Sequence, residues 1–382
     1  MTINRRELLG AGAAFGMGLA AKGALGQEGG AKAGQSRGSA SAEQRRMREF
    51  FMMRAGFEPP VNSHTQPSSV DWNYKPKRVN KAIELWEDGQ PVYYSGSGLG
   101  PGVDSYAQGV RMAQTYMDAI NVEMEHECLD LVGLREFMRG LVDGGPTRSG
   151  HRTPAVFVET GIIGLDAPYA RANSWLLEQF LDAGVHGIHI CHARRWEAIQ
   201  VSSQMSMRYP FERAGIPKLT YQGLRGSSAG YAAEVWGVNL NTYCHMADLW
   251  PLNPKGEIIC GVKIEDTYCD QDMAQTIALP GISMAEWGPG DHAYWLYGLS
   301  AMPEDRMIPF DVTVARPEMQ KVRQEVLDNC KKNHVMFLNA GSPNPNSPDY
   351  VIKQIKDGAM VLEAPESAAI IGREFTKRKM PV

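Results

Sequence analysis

Residues 119–144 read AINVEMEHECLDLVGLREFMRGLVDG. The first part, AINVEMEH (119–126), has the β-branched and apolar character of a buried strand, yet it finishes on acids around a histidine. The second part, LVGLREFMRGLVD (131–143), repeats apolar residues at three- and four-residue spacing, which is typical of an amphipathic helix, and a glycine follows it. The stretch therefore predicts one strand–helix unit whose strand ends in polar, chemically active side chains.

Seven further short apolar runs repeat the strand half of this unit, and each ends in glycine or polar residues. They are PVYYSGSG (91–98), PAVFVETG (154–161), GIHICHA (187–193), IICGVKIED (258–266), SMAEWGPGD (283–291), HVMFLNAG (334–341) and AMVLEAP (359–365). Helix-period segments separate most of them, and this alternation favours a parallel sheet. Eight repeats fit a (β/α)8 TIM barrel better than an open doubly wound sheet, since no GxGxxG follows the first strand.

The chain divides into three regions. Residues 1–33 carry two adjacent arginines before an apolar run rich in glycine and alanine, which resembles a twin-arginine signal peptide and predicts export to the periplasm. The alternative is a buried N-terminal helix, which the glycines weaken. Residues 34–75 form a predicted N-terminal arm, and residues 76–382 form the barrel. The long segment 193–257, between the fourth and fifth predicted strands, is expected to contain helices of its own.

Composition limits the function classes. The chain has 382 residues, is 43% hydrophobic and 21% charged, and carries a formal net charge of -4. This charge argues against a nucleic-acid partner, and the lack of a long apolar stretch argues against a membrane span after signal removal. None of the six cysteines forms a CxxC pair, so the sequence assigns no disulfide, and Cys191 and Cys260 are predicted to lie in the core.

Acidic residues stand at the carboxyl ends of three predicted strands. Glu123, Glu125 and His126 end the second strand, Glu265 ends the fifth, and Asp291 ends the sixth. In a (β/α)8 barrel the active site is built at these ends, so Glu265 and Asp291 are expected in one mouth. Two such carboxylates repel each other unless one is protonated or a cation lies between them. Oxygen ligands of this kind suit Mg²⁺ or Mn²⁺.

Two other segments bear on ligands. In WGPGD, Gly288 and Gly290 allow backbone N–H groups to turn toward a bound carboxylate. In HGIHICH, strand alternation turns His186 and His192 one way and His189 the other, so the three histidines are not expected to share a zinc ion. His192 alone, near a strand end, is a candidate for the lining of the substrate pocket.

The segment VEMEHECLDLVGLREFMRGL resembles the D-x-E-H and leucine-rich helix motif of the HpcH/HpaI aldolases, in the citrate lyase-like superfamily. These are metal-dependent class II aldolases that act on pyruvate and other 2-oxo acids. LLEQFLDAGVHGI, RYP (208–210), GLRG (223–226), VKIED and WGPGD follow in the family's order. The resemblance covers about residues 76–375 and implies a (β/α)8 barrel.

The resemblance also implies roles for individual residues. Glu265 and Asp291 match the metal ligands, His126 matches the general base, and Asp182 matches the aspartate that orients that histidine. The expected substrate-binding residues are Gly288, Pro289, Gly290, Glu125 and Arg225. The implied cofactor is a divalent metal cation, Mg²⁺ or Mn²⁺ with Co²⁺ as a further candidate. The implied partners are a 2-oxo acid and an aldehyde, and the implied assembly is a homo-oligomer, a trimer or hexamer.

One position departs from the family. Phe157 stands where the third strand of the family carries an arginine, and an enolate that loses such a donor typically loses ~100-fold in rate. Arg152 or Arg225 are candidates to supply the charge from elsewhere. The predicted function is a divalent-metal-dependent carbon–carbon lyase of the aldehyde-lyase type. The alternatives are a related decarboxylase or hydrolase and a non-catalytic periplasmic oxo-acid-binding protein.

Overall fold

The computed structural model describes residues 64–298, 314–340 and 348–382. The predicted signal peptide, residues 1–33, and most of the predicted arm lie outside these ranges. None of the helices within them combines the length and the apolar character that crossing a bilayer requires. All six cysteines are free, and Cys191 and Cys260 are buried as predicted.

The described part of the chain forms one parallel sheet that closes on itself. Its strands are Val92–Gly96 (β1), Ala119–Glu123 (β2), Ala155–Thr160 (β3), Gly187–Ile190 (β4), Leu249–Trp250 (β5), Ile258–Ile264 (β6), Met284–Trp287 (β7), Met336–Asn339 (β8) and Ala359–Glu363 (β9). Neighbours follow the chain from β1 to β4, β4 pairs with β6, and β6 to β9 lead back to β1. The two-residue β5 pairs only with the start of β6. Eight strands therefore close the barrel, and the predicted fold is confirmed.

Helices connect these strands on the outside of the barrel. They are Lys81–Glu87 (α1), Ser105–Met112 (α2), Leu131–Gly144 (α3), Ala167–Ala172 (α4), Ser174–Asp182 (α5), Trp196–Val201 (α6), Gly230–Trp236 (α7), Leu240–Met246 (α8), Thr267–Ile277 (α9), Pro289–Tyr297 (α10), Pro317–Asn333 (α11), Pro348–Asp357 (α12) and Glu366–Phe375 (α13). The long segment between β4 and β6 contains α6, α7 and α8, as expected. Short polar side chains cap the amino termini of six helices, which satisfies N–H groups that have no intrahelical partner. These residues are Asn80, Asp104, Asp130, Asp166, Asn239 and Asp266.

Strand alternation separates the inside of the barrel from its outer face. On β3, Val156 and Val158 pack among the helices, whereas Ala155 and Phe157 belong to a second apolar cluster inside the barrel. This inner cluster fills the end of the barrel where the strands begin. The helix α1 packs against it and closes that end of the barrel, with Trp86 stacked on the Trp250 ring at 5.7 Å.

A buried charge cluster ties the chain's C-terminal segment to the start of β2. Asp118 is completely buried, and its carboxylate lies 2.7 Å from Arg378, 3.3 Å from Arg373 and 3.3 Å from Lys81. It also accepts the backbone N–H of Tyr93 at 3.1 Å. Burial alone would raise the pKa of Asp118, but the three cations hold that pKa well below its usual value. The cluster therefore depends on an ionised Asp118.

Candidate active site

The inward-facing side chains change from apolar to ionisable toward the carboxyl ends of the strands. This half of the barrel contains Asn121, Glu123, Glu159, His189, Lys263 and Glu286, all from strand positions that alternate with apolar outer residues. Lys263 and Glu265 are two residues apart along β6 and its end, so they point to the same side. The active-site end of a (β/α)8 barrel is thus the polar end here as well.

Lys263 lies at the centre of this polar end. Its Nζ is 2.8 Å from Glu125 Oε2, 3.2 Å from Glu265 Oε2 and 3.5 Å from Glu159 Oε1. Burial lowers the pKa of Lys263, but Cys191 and the surrounding carboxylates raise it by more, so it lies well above its usual value. The side chain is therefore a fixed positive charge between three acids. Sequence reasoning missed it, although its spacing of two from Glu265 in VKIED was a usable signal.

Three buried carboxylate oxygens at this end accept no hydrogen bond from any described residue, namely Glu125 Oε1, Glu265 Oε2 and Glu286 Oε2. Of these, Glu265 Oε2 forms an ion pair with the Lys263 ammonium group at 3.2 Å. The other oxygen of Glu265 accepts the backbone N–H of His192 at 2.7 Å. Burial raises the pKa of Glu265 to about 7, with Lys263 opposing the shift and Glu125 adding to it. Buried oxygens without a donor are where a bound cation or a ligand donor fits best.

His192 stands beside these oxygens. Its Nδ1 lies 2.6 Å from Asp266 Oδ2 and its Nε2 lies 3.4 Å from Glu125 Oε1. Burial lowers the pKa of His192, but the hydrogen bond to Asp266 and the charges of the nearby carboxylates raise it above its usual value. The backbone of His192 has a φ of 49°, a left-handed conformation that is uncommon for a residue other than glycine. This turn carries the ring into the mouth.

The loop after β2 carries His126. Glu123 Oε1 accepts the backbone N–H of Glu125 at 2.5 Å and that of His126 at 3.0 Å, so Glu123 shapes the loop. Burial and a hydrogen bond with Glu159 raise the pKa of Glu123 to about 7. The His126 side chain is more than half exposed, and its Nε2 lies 3.2 Å from Asp291 Oδ2. Glu123 thus positions the backbone of the loop, and Asp291 contacts the His126 ring.

The structure does not bring Asp182 to His126, and this corrects the pairing expected from the resemblance. Asp182 ends α5, which leads into the start of β4, and its Oδ1 lies 3.0 Å from Arg225 Nη2. Arg225 also donates to Tyr243 Oη at 3.0 Å and packs over the Tyr209 ring. Because a helix returns the chain to the amino ends of the strands, this group lies away from the mouth. Arg225 is therefore not placed to bind substrate there.

The helix α10 begins at the mouth, at the predicted WGPGD segment. Pro289 is its first residue, Gly288 is the residue before it, and no side chain caps this end. The N–H of Gly288 is donated to the carbonyl of Ile264 on β6 at 3.1 Å. The amides of Gly290 and Asp291, in the first turn, have no acceptor within the helix. A Cβ at Gly288 would lie 2.9 Å from Glu265 Oε2, so glycine keeps the space above Glu265 open. The helix end offers N–H groups to an anion beside Glu265.

Phe157 points into the barrel and belongs to its inner apolar cluster. Its ring packs 5.5 Å from the Tyr94 ring and edge-on to His189 at 6.0 Å. Arg152, a candidate to replace the arginine, instead donates to the carbonyl of Val235 at 2.8 Å outside the barrel. Neither Arg152 nor Arg225 therefore supplies a charge to the mouth. Lys263 is the lysine or arginine whose charged group contacts Glu125 and Glu265 among the described residues.

The chain shares this fold with solved aldolase structures. An HpcH/HpaI aldolase from Desulfitobacterium hafniense DCB-2 superposes with a TM-score of 0.53 and 16% identity, over 77% of this chain and 93% of that one. An HpcH/HpaI aldolase/citrate lyase family protein from Burkholderia cenocepacia J2315 gives 0.53 and 16%, over 77% and 96%. Citrate synthase SbnG gives 0.52 and 16%, over 78% and 95%.

These comparisons confirm the resemblance at the level of the fold. The chain is a (β/α)8 barrel with the architecture of the HpcH/HpaI aldolases, and it spans nearly the whole of the three neighbours. No protein-family model matches the chain, and no curated protein matches it. At 16% identity the likeness defines the architecture, and the chemistry is argued from the residues of the mouth.

Proposed function

We propose that this chain is a divalent-metal-dependent carbon–carbon lyase of the aldolase type, which makes or breaks a bond next to a 2-oxo acid. One observation carries the proposal. Glu125 and Glu265 each present a buried oxygen that accepts no hydrogen bond, at the mouth of a barrel that has the aldolase fold, and the Glu265 oxygen is paired only with the Lys263 ammonium group among the described residues. The known neighbours include aldolases and a citrate synthase, which supports chemistry at a carbon next to a carbonyl group.

The residues of the mouth fit a divalent cation. Glu125, His192 and Glu265 offer ligand atoms within 4.8 Å of one another, and so do Glu125, His126 and Asp291. The expected ligands Glu265 and Asp291 therefore belong to two adjoining groups that share Glu125. When bound, the cation polarises the carbonyl oxygen of the 2-oxo acid and balances the charge of its enolate.

Two features of the chain suit the anionic ends of such a substrate. The uncapped first turn of α10 presents the amides of Gly290 and Asp291, which bind the carboxylate of the 2-oxo acid. Lys263 supplies a buried positive charge next to Glu265, where the enolate oxygen gains its charge. In this proposal Lys263 compensates for Phe157, which removes the family arginine.

His126 is the proposed proton carrier. Its ring is accessible from the mouth, and Asp291 at 3.2 Å holds the imidazole in place of the expected Asp182. It removes a proton from, or returns one to, the carbon next to the keto group, directly or through a water molecule. Glu123 keeps His126 in reach because it accepts two backbone N–H groups of the same loop.

The test is the exchange of pyruvate methyl protons with D2O, followed by NMR, which needs no knowledge of the aldehyde. We expect exchange with Mg²⁺ or Mn²⁺, none with EDTA, and a large loss in His126→Ala and Glu265→Gln. Glu127→Gln is the matched control, since Glu127 is exposed beyond the loop and should leave the rate unchanged. Exchange that persists in EDTA would exclude the metal, and no exchange with bound metal would exclude pyruvate enolate chemistry.

The cellular context of the proposal rests on the sequence. If Arg5 and Arg6 form a twin-arginine export signal, replacing both with lysine should keep the protein in the cytoplasm. Cell fractionation measures this. If the protein is a trimer or hexamer, light scattering should give three or six times the mass of one chain. A monomer would contradict the proposed assembly but not the proposed activity.

A further inference from the structure

We propose that His192 is a nitrogen ligand of the metal site, so that the site prefers a first-row transition ion to Mg²⁺. This inference rests on the proposed function and deepens it. It adds an imidazole to the carboxylates of Glu125 and Glu265, and imidazole favours transition metals, whereas Mg²⁺ takes oxygen ligands.

The first support is the distance between two facing acceptors. His192 Nε2 lies 3.4 Å from Glu125 Oε1, and that oxygen has no hydrogen-bond donor among the described residues. Two adjacent ligands that are each about 2.1 Å from one ion stand about 3.0 Å apart in octahedral coordination and about 3.4 Å apart in tetrahedral coordination. The pair thus has the spacing of two ligands around one ion rather than that of a good hydrogen bond.

The second support is the other ring nitrogen of His192. Its Nδ1 lies 2.6 Å from Asp266 Oδ2, and Asp266 is fixed by Arg194 at 2.7 Å and by capping the start of α9. Histidines that bind metals usually donate one N–H to a carboxylate, which leaves the other nitrogen free for the ion. Asp266 therefore holds His192 in the orientation and tautomer that a ligand needs.

The third support is the backbone. His192 adopts a left-handed conformation with a φ of 49°, and its own N–H is donated to Glu265 Oε1 at 2.7 Å. Such a conformation is unfavourable for a residue with a side chain and is often found at functional sites. Here one strained residue brings its ring to Glu125 and its amide to Glu265, so the same turn organises both carboxylates.

The rival nitrogen is His126, which belongs to the adjoining group with Asp291. Its ring is more than half exposed and lies 3.2 Å from Asp291, whereas the buried His192 ring lies 2.6 Å from Asp266 and is held more tightly. A second rival is an imidazolium of His192 that forms an ion pair with Glu125 and binds no metal. The first rival predicts that the metal-bound nitrogen is lost in His126→Ala, and the second predicts that no nitrogen is bound to the metal.

The experiment is electron spin-echo spectroscopy of the Mn²⁺-loaded protein, which detects ¹⁴N nuclei bound to the ion and needs no activity. We expect nitrogen modulation in the wild type, its loss in His192→Ala and His192→Gln, and its retention in His126→Ala. In parallel, competition titrations should give a ratio of Co²⁺ to Mg²⁺ affinity that falls at least tenfold in the His192 variants. Thermal unfolding checks that each variant is folded.

The outcomes separate the two proposals. Bound Mn²⁺ without nitrogen modulation, or modulation that survives both His192 variants, overturns the ligand assignment and leaves the proposed function in place. Loss of the modulation in His126→Ala alone assigns the nitrogen to the adjoining group and also overturns it. A protein that binds none of Mn²⁺, Co²⁺ and Mg²⁺ overturns both proposals.

Discussion

Lys263 Nζ lies 2.8 Å from Glu125 Oε2, and this ion pair joins β6 to the loop after β2 across the mouth of the barrel. The same ammonium group lies 3.2 Å from Glu265 Oε2. The Lys263 ammonium group and the proposed metal therefore contact the same two carboxylates. These two positive charges repel each other, yet each is suited to stabilise the negative charge of an enolate.

The replacement Lys263→Met separates these two effects. We expect the metal-dependent exchange rate of pyruvate to fall about 100-fold, since a preorganised positive charge is lost. We expect the affinity for the divalent ion to rise at least about tenfold, since an ammonium group a few ångströms away no longer repels it. Isothermal titration measures the affinity and NMR measures the exchange.

The control for this variant is Lys255→Met, which changes an exposed lysine in the segment that leads into the start of β6 and should alter neither quantity. A merely structural Lys263 would lower metal affinity and exchange together, because the loop of Glu125 would lose its tie to β6. An unchanged exchange rate would show that the positive charge is not used.

The fold was predictable because each strand carries its own local signal. All eight predicted runs coincide with barrel strands, and their carboxyl ends collect Glu125, His126, Glu265 and Asp291 at one mouth. That convergence follows from the parallel arrangement alone. Lys263 was equally predictable in principle, since its position two residues before Glu265 already assigns it to the same face.

Other features depend on geometry that a linear pattern does not contain. Strand alternation grouped His192 with His186, but β4 ends at Ile190, and the left-handed backbone at His192 turns its ring toward Asp266. Asp182 was assigned by resemblance, yet it ends a helix that returns to the opposite end of the barrel. No local pattern distinguishes an acid near the mouth from one on the far side.

The position of Asp182 leads to a second prediction. Because Asp182 pairs with Arg225 and is partly exposed, Asp182→Asn should leave the exchange rate within about twofold of the wild type. The free energy of unfolding should fall by about 1 kcal/mol, a modest effect that is typical of a solvent-screened pair. Urea unfolding measures the second quantity. A rate as low as that of His126→Ala would mean that Asp182 orients the histidine after all.

The charge cluster at the other end of the barrel supports the third prediction. In Asp118→Asn, three buried cations lose their counter-ion, so the free energy of unfolding at pH 7 should fall by about 3 kcal/mol or more. The pKa of Asp118 is depressed in the folded protein, so its stabilisation is present above the unfolded pKa of about 4. As the pH falls toward the folded pKa, the wild type loses this stabilisation by about 1.4 kcal/mol per pH unit, whereas the variant has no such group to titrate.

Urea unfolding at several pH values between 7 and 2.5 measures this difference. The gap between wild type and Asp118→Asn should be constant from pH 7 to about pH 5 and should narrow below about pH 4, where the unfolded chain takes up the proton first. Asp328→Asn is the matched control, since Asp328 is exposed on α11 and should follow the wild-type curve. Parallel curves for Asp118→Asn and the wild type down to pH 2.5 would mean that the carboxylate is not held ionised by Arg378, Arg373 and Lys81, and that the cluster is stabilised by packing alone.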